Sequence, residues 1–186
     1  MVPVTALWLP ILLAAVIAFV ASFILHMLLP LHRKDLRRLP PEDEVLETLR
    51  RLQIPPGDYA APHAGSPAAM KDPAFLDKMR KGPLVLMTLS PGQEMSMAGP
   101  LGQWFVYCVV VSVFAGYMAG AALGPGAPYL AVFRFAGTMA FAGYSLALAQ
   151  HSIWYRRNWG TTLLSMFDGL VYALLTAGTF GWLWPR

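Results

Sequence analysis

Four long apolar segments constrain this chain more than any other feature of its sequence. They run from Leu7 to Leu29, from Leu101 to Leu123, from Tyr129 to Ser152 and from Thr161 to Trp184. A helix of about 20 apolar residues rises about 1.5 Å per residue and so crosses the ~30 Å hydrocarbon core of a bilayer. Backbone groups inside a bilayer must pair within their own segment, and the alternating pattern of a barrel strand is missing. The segments therefore predict four transmembrane helices.

The composition agrees with this interpretation. The chain is 56% hydrophobic and only 13% charged, whereas soluble domains are roughly 45–50% apolar and about 25% charged. We therefore predict an all-α integral membrane protein in three regions. They are a first transmembrane helix in residues 1–30, a polar insert in residues 31–100 and a three-helix transmembrane region in residues 101–186, with spans at about 101–123, 129–152 and 161–184.

The positive charges predict the orientation in the membrane. Ten of the fourteen Lys and Arg residues lie in residues 31–100, and Arg156 and Arg157 lie in the loop between the third and fourth segments. Only Arg186 falls on the opposite side. Because cytoplasmic loops are rich in Lys and Arg, we expect the insert to be cytoplasmic and both termini to be outside. The compact, alanine-rich chain favours the bacterial inner membrane as the location. This distribution also argues against a nucleic-acid partner, despite the net charge of +4.

The insert carries signals for short helices. The basic run His32–Arg38 follows the first span directly, which favours a contact with anionic membrane lipid. Pro40 and Pro41 precede an amphipathic segment that is acidic at its start and basic at its end, and Asp72 followed by Pro73 predicts a second helix.

The rest of the insert has few regular signals. Residues 55–69 hold four prolines and no periodicity, so we expect them to be irregular. Leu84–Leu89 and Glu94–Ala98, joined by the turn Ser90–Gln93, predict a small β-hairpin.

The second apolar segment carries a helix-packing pattern. Cys108 is followed at intervals of four residues by small side chains at Ser112, Gly116, Gly120 and Gly124. Such a stripe lets another helix approach closely, either a helix of this chain or one of a second copy. Cys108 is the single cysteine, so the sequence contains neither a disulfide framework nor a CxxC motif.

The third and fourth segments each carry a polar seam. Arg134, Thr138 and Ser145 lie on one arc of the third, and the fourth has an arc that includes three further polar residues: Asp168, Tyr172 and Thr179. An antiparallel hairpin centred on its loop would place Ser145 opposite Asp168 along a polar intramembrane seam. Intramembrane ionisable groups are candidates for proton or ion relays, and hydrogen bonding between helices is the structural alternative.

Two histidines form a second candidate site. His26 and His151 are both expected near the cytoplasmic ends of their spans, where facing histidines could ligate haem or a metal. Interfacial hydrogen bonding is the ordinary alternative, and we expect no cofactor. Met95 and Met97 offer a soft-metal pair that packing against the membrane explains equally well.

These patterns favour an interaction role over chemistry. We expect a non-enzymatic accessory or assembly subunit of a membrane complex, with a membrane-protein partner or self-association through the small-residue faces. The alternative is a small oligomeric proton-coupled or ion transporter or channel that uses Asp168. A third candidate is a membrane redox protein that binds b-haem or a metal.

Overall fold

The computed structural model describes residues 1–92 and 96–186. The chain divides into two compact units, one formed by Met1–Leu36 with Ser96–Arg186 and the other by Arg37–Met95. The regular elements in chain order are α1 (Trp8–Phe23), α2 (Glu42–Leu52), β1 (Gly57–Ala61), α3 (Pro73–Lys81), β2 (Val85–Leu89), α4 (Ala98–Ala122), α5 (Tyr129–Tyr144), α6 (Ala149–Tyr155) and α7 (Trp159–Trp182).

The prediction of four long apolar helices is confirmed. Among the described residues, the helical stretches long and apolar enough to cross a membrane are Val4–Leu28, Ala98–Ala122, Tyr129–Tyr155 and Trp159–Trp182. The first comprises a 3-10 turn (Val4–Leu7), α1 and a π-helical turn (Ile24–Leu28). The third is α5 and α6 with a 3-10 turn at Leu146–Leu148 between them.

The third segment was predicted as one continuous helix, but it breaks at Ser145, whose backbone has φ −126° and ψ −53°. The cause is the close approach of α7. A Cβ atom on Gly169 would lie 2.7 Å from the carbonyl oxygen of Tyr144, so the two backbones are nearly in contact there. The Ser145 hydroxyl donates to the Met166 carbonyl oxygen at 2.9 Å and so ties the broken turn to α7.

The four long stretches form a bundle in which α1 and α5 each pack against both α4 and α7. Its interior is built mainly from small side chains. Buried alanines are Ala14, Ala15, Ala18, Ala115, Ala119, Ala136, Ala140, Ala173 and Ala177. Larger apolar side chains cover much of the outside, among them Leu12, Val20, Phe23, Val106, Phe114, Leu163, Phe167 and Leu174.

The second unit holds α2, α3 and a two-stranded antiparallel sheet, and none of its described residues is buried. Both predicted helices are confirmed, and the Asp72 side chain caps α3 by accepting from the Ala74 N–H at 2.9 Å. The predicted β-hairpin is wrong in its pairing: β2 pairs with β1, with Tyr59 opposite Met87. Prolines flank the five residues of β1 without interrupting them, so the backbone there is free to pair. Ala98 begins α4, and residues 94 and 95 of the predicted partner strand lie outside the described residues, as does residue 93 of the predicted turn.

Candidate metal centre

The end of the first apolar stretch places His26 at one end of the bundle. Ile24–Leu28 form a π-helical turn, in which the Leu29 N–H donates to the Ile24 carbonyl oxygen at 3.0 Å. Leu29 itself is extended, with φ −89° and ψ 141°, because Pro30 disfavours a helical residue before it.

Pro30–His32 form a 3-10 turn that brings His32 back over His26. The two imidazole rings stack, with centroids 4.1 Å apart and planes 4° from parallel. The side chain of His32 is nearly buried and that of His26 is about half exposed. The chain reversal after α1 thus brings two histidines that are six positions apart in the sequence into direct contact.

Asp168 of α7 completes the group. Its side chain is 3% exposed, and its Oδ2 lies 2.8 Å from His32 Nε2 and 3.8 Å from His26 Nε2. One donor atom from each of the three residues lies within 4.8 Å of the others. We call these three residues the His-Asp cluster.

The other ring nitrogen of each histidine has its own partner. His26 Nδ1 lies 3.1 Å from the Ser22 carbonyl oxygen, and His32 Nδ1 lies 2.8 Å from Asp35 Oδ2. A carbonyl or carboxylate oxygen only accepts, so each Nδ1 must carry the proton and donate it. In a neutral imidazole this leaves an unprotonated lone pair on Nε2. Both lone pairs therefore belong to the atoms that converge with Asp168.

The atoms at the centre of the cluster have no hydrogen-bond partner. His32 Nε2 and both carboxylate oxygens of Asp168 are buried and unpaired, because the short Nε2–Oδ2 contact does not have the geometry of an N–H···O bond. A bare lone pair facing a carboxylate oxygen is repulsive, and a buried unpaired carboxylate is costly. A cation between these atoms removes both penalties.

The spacing suits one metal ion. Ligands about 2.1 Å from a cation lie about 3.0 Å apart at a right angle and about 3.4 Å apart in a tetrahedron. The two measured separations from Asp168 Oδ2, 2.8 and 3.8 Å, bracket those values. Because the lone pair of Nε2 lies in the plane of its ring and the two rings are nearly parallel, coordination of one ion by both histidines requires the rings to tilt toward Asp168.

A cavity of about 580 Å³ adjoins the cluster, and His26 and Asp168 form part of its wall. Residues of α1, the π turn, α4 with Met97 before it, α5 with the turn that follows it, and α7 supply the rest. Trp104 lines it too, and its indole N–H donates to the hydroxyl of Ser22 at 2.8 Å, the same residue whose carbonyl oxygen lies next to His26 Nδ1. The open side of a metal bound by the cluster would therefore face this cavity.

The predicted polar seam is only partly assembled. Asp168 and Tyr172 are buried and border the cavity, whereas Arg134 and Thr138 lie on the exposed face of α5. Ser145 is buried but bonds to the backbone of α7 and not to Asp168. Thr179 is nearly buried, and its hydroxyl donates to the Leu175 carbonyl within its own helix at 2.8 Å.

The expectation that the two polar seams face each other is wrong, because α5 presents its small residues to α7. A Cβ atom on Gly137 would lie 2.9 Å from the Ala177 Cβ. Larger polar side chains do not allow so close an approach. A hairpin register that sets Ser145 opposite Asp168 also sets Ser152 opposite Thr161, but Ser152 donates to Thr162 at 2.8 Å, so the predicted register is off by one position at the loop end.

The small-residue stripe of α4 packs within the chain. A Cβ atom on Gly116 would contact Phe180 and Ile11, and one on Gly120 would overlap the Val2 carbonyl oxygen. Ser112 is fully buried, and a Cβ atom on Gly124 would lie 4.0 Å from the Met1 nitrogen. Of the two alternatives for this stripe, the structure has the intramolecular one.

The predicted pairing of His26 with His151 is not what the structure has. His151 is exposed and its ring packs against Tyr155, with centroids 6.3 Å apart. The Met95–Met97 pair lies partly outside the described residues, because Met95 is not among them. Cys108 is buried and accepts, through its carbonyl oxygen, from the Tyr144 hydroxyl at 3.4 Å.

Sequence reasoning missed His32 and Asp35, because the surrounding cations explain the segment as an orientation signal. A usable clue was present. Leu29-Pro30 must end the helix, so His26 and His32 flank a chain reversal that can bring them together.

No protein-family model matches the chain, and no curated protein or solved structure is significantly similar to it.

Proposed function

We propose that this chain is an integral membrane protein that binds one divalent transition-metal ion through His26, His32 and Asp168. The observation that carries the proposal is the hydrogen bonding behind the histidines. Each Nδ1–H is held by a fixed oxygen, so both Nε2 atoms converge with an unpaired, buried carboxylate. Metal-ligating histidines are oriented in this way by a carbonyl or a carboxylate behind the ring.

The donor set indicates which metals bind. Two imidazole nitrogens and one carboxylate oxygen suit Zn²⁺, Fe²⁺, Co²⁺ or Mn²⁺, whereas the absence of thiolate from the cluster disfavours soft ions such as Cu⁺. Three protein ligands leave coordination positions for water or a further ligand, as in catalytic metal sites. This supports the metal-binding candidate among the functions expected from the sequence, with His32 and Asp168 in place of His151.

Metal analysis of the purified protein tests this proposal. We expect about one divalent ion per chain by plasma mass spectrometry in the wild type, and strong loss of it in His32→Ala and Asp168→Asn. His151→Ala is the matched control, since it removes an exposed histidine outside the cluster. Equal metal content in all four proteins, or none in the wild type after reconstitution with Zn²⁺ or Fe²⁺, would contradict the proposal.

The burial pattern supports membrane insertion of the four-helix unit. Its interior is rich in alanine and glycine while leucine, valine and phenylalanine cover its outside. This is the reverse of a water-soluble bundle, and it suits helices that pack through small residues and face acyl chains. A soluble protein would expose far less contiguous apolar surface.

The charge distribution supports the orientation proposed from the sequence, with residues 31–100 in the cytoplasm and both termini outside. An impermeant thiol reagent tests it on intact cells, because the native Cys108 is fully buried and so does not interfere. Pro125→Cys, in the exposed turn after α4, should label in intact cells. Ala68→Cys, in the insert, should label only after permeabilisation. Rapid labelling of Ala68→Cys in intact cells would mean that the insert lies outside and would contradict the proposed orientation.

The role of an accessory subunit stays a prediction. It depended on small-residue faces free to meet a partner, and the stripe of α4 is used within the chain. The transporter candidate depended on a polar seam from Asp168 to Arg134. In the structure Asp168 is buried, whereas Arg134 lies on the exposed face of α5. The metal-binding function has the most direct support.

A further inference from the structure

The cavity beside the His-Asp cluster has two chemically different parts. Its polar part is formed by His26, Asp168, Ser165 and Tyr172. The Tyr172 hydroxyl is buried and has no hydrogen-bond partner, and the same holds for Asp168 Oδ1. A bound molecule with an oxygen-bearing head would pair with the Tyr172 hydroxyl and contact a metal held by the cluster.

The remaining walls are apolar and aromatic. They are supplied by Phe19, Phe23, Met27, Leu101, Tyr144 and Leu148. Tyr144 and Tyr172 pack edge to face with ring centroids 5.6 Å apart, and Trp104 packs on Tyr172 at 5.8 Å. These packed rings fix the shape of the cavity. A volume of about 580 Å³ lies in the usual range for pockets that enclose a small organic molecule.

The rim of the cavity points to the source of its ligand. Phe23, Met27 and Leu101 line it and are 50%, 66% and 42% exposed. In a membrane these side chains contact acyl chains, so the cavity opens toward lipid and not only toward water. A ligand that enters between them must itself dissolve in the membrane.

We propose that this cavity binds a membrane-soluble amphipathic molecule, with a hydrocarbon chain in the aromatic part and an oxygen-donor head that completes the coordination of the metal. The inference rests on the proposed metal site. It adds the class of molecule that reaches the open coordination positions: a lipid-like compound with a hydroxyl, carbonyl or carboxylate head. The packed aromatic walls select the chain, and the cluster with Tyr172 selects the head.

Cobalt spectroscopy with paired probes tests the proposal. The protein is loaded with Co²⁺ in phospholipid nanodiscs, and its visible bands are followed on addition of octanohydroxamate or acetohydroxamate, which share a metal-binding head and differ in the chain. We expect the long probe to shift the bands at a concentration about tenfold or more below that of the short probe, since its chain removes apolar area from water.

A pair of variants separates binding in the cavity from partition into lipid. Ala147→Trp places a large ring in the cavity wall, and Ala121→Trp places the same ring on an exposed position of α4 outside it. Partition of the probe into the nanodisc lipid is the same for both proteins. The advantage of octanohydroxamate over acetohydroxamate should fall about tenfold in Ala147→Trp and persist in Ala121→Trp.

The possible results distinguish the two proposals. If Co²⁺ bands appear in every protein but the long probe works equally well in Ala147→Trp, the cavity proposal is overturned and the metal site stands. If no protein gives Co²⁺ bands, both are overturned. Leu148→Trp, a second substitution in the cavity wall, repeats the test should Ala147→Trp fail to fold.

Discussion

The two ends of the four-helix bundle are built on opposite principles. At one end Gly120 lies against the backbone of Val2, Phe180 is fully buried, and the Trp184 indole N–H donates to the Gly124 carbonyl at 3.0 Å. At the other end α5 breaks, α1 widens into a π turn, and a cavity adjoins buried polar atoms without partners. The first end is closely packed, which favours stability. The second end is less closely packed and contains the candidate metal site.

This difference separates positions that contribute to the stability of the fold from positions that contribute to the candidate metal site. Closely packed interiors lose stability when volume is added or removed. Unpaired buried polar atoms and a cavity instead reduce stability, and proteins retain such features mainly where function requires them. Substitutions at the packed end should therefore lower stability, and substitutions around the open end should lower metal affinity.

The largest expected effect is at the packed end. Gly120→Ala forces a methyl group onto the Val2 backbone, which cannot move aside cheaply, so we expect a loss of about 3 kcal/mol in the free energy of unfolding. Titration with SDS in mixed micelles measures it. Gly102→Ala is the control in the same helix, because nothing lies within 4 Å of a Cβ there. It should be neutral or stabilising by up to about 1 kcal/mol. Equal losses in the two variants would mean that this end is not closely packed.

The next effect is on metal affinity at the open end. Asp35→Ala removes the carboxylate that accepts from His32 Nδ1–H at 2.8 Å, so we expect metal affinity to fall about 10- to 100-fold with little change in stability. Competition with a chelator measures the affinity. Asp43→Ala removes an exposed carboxylate of α2 and should leave it unchanged. An unchanged affinity in Asp35→Ala would show that this hydrogen bond does not orient a metal ligand.

The smallest effect tests a single polar contact between helices. Ser152→Ala removes the buried hydrogen bond from Ser152 to Thr162, and such bonds between membrane helices contribute about 0.6 kcal/mol on average. Thr138→Ala, on the exposed face of α5, is the control and should change stability by less. The same SDS titration compares them. A loss as large as that of Gly120→Ala would contradict the view that packing dominates this bundle.

The sequence predicts the bundle far better than it predicts the site. Hydropathy specifies the long helices, and the four-residue spacing of Gly116 and Gly120 specifies a contact face, because both follow from short-range patterns. The break at Ser145 depends on Gly169, which is distant in the chain, and on how closely α7 approaches there. No local pattern reports such an approach.

The site depends even more on tertiary structure. Asp168 was recognised as unusual because a carboxylate in an apolar helix is costly, but its partners could not be read from helix periodicity. His32 lies after the helix, and its position depends on the reversal at Pro30. The β1–β2 pairing eluded prediction for a related reason, since it joins strands separated by α3. In each case the missing information is a contact between distant residues.

X-ray absorption at the K-edge of bound Co²⁺ tests the central claim most directly. The His-Asp cluster predicts first-sphere nitrogen and oxygen at about 2.0–2.2 Å, with outer-shell scattering from two imidazole rings that drops to one in His32→Ala and stays at two in His151→Ala. A first sphere without imidazole, or two rings retained in His32→Ala, would contradict the assignment of the metal to His26, His32 and Asp168.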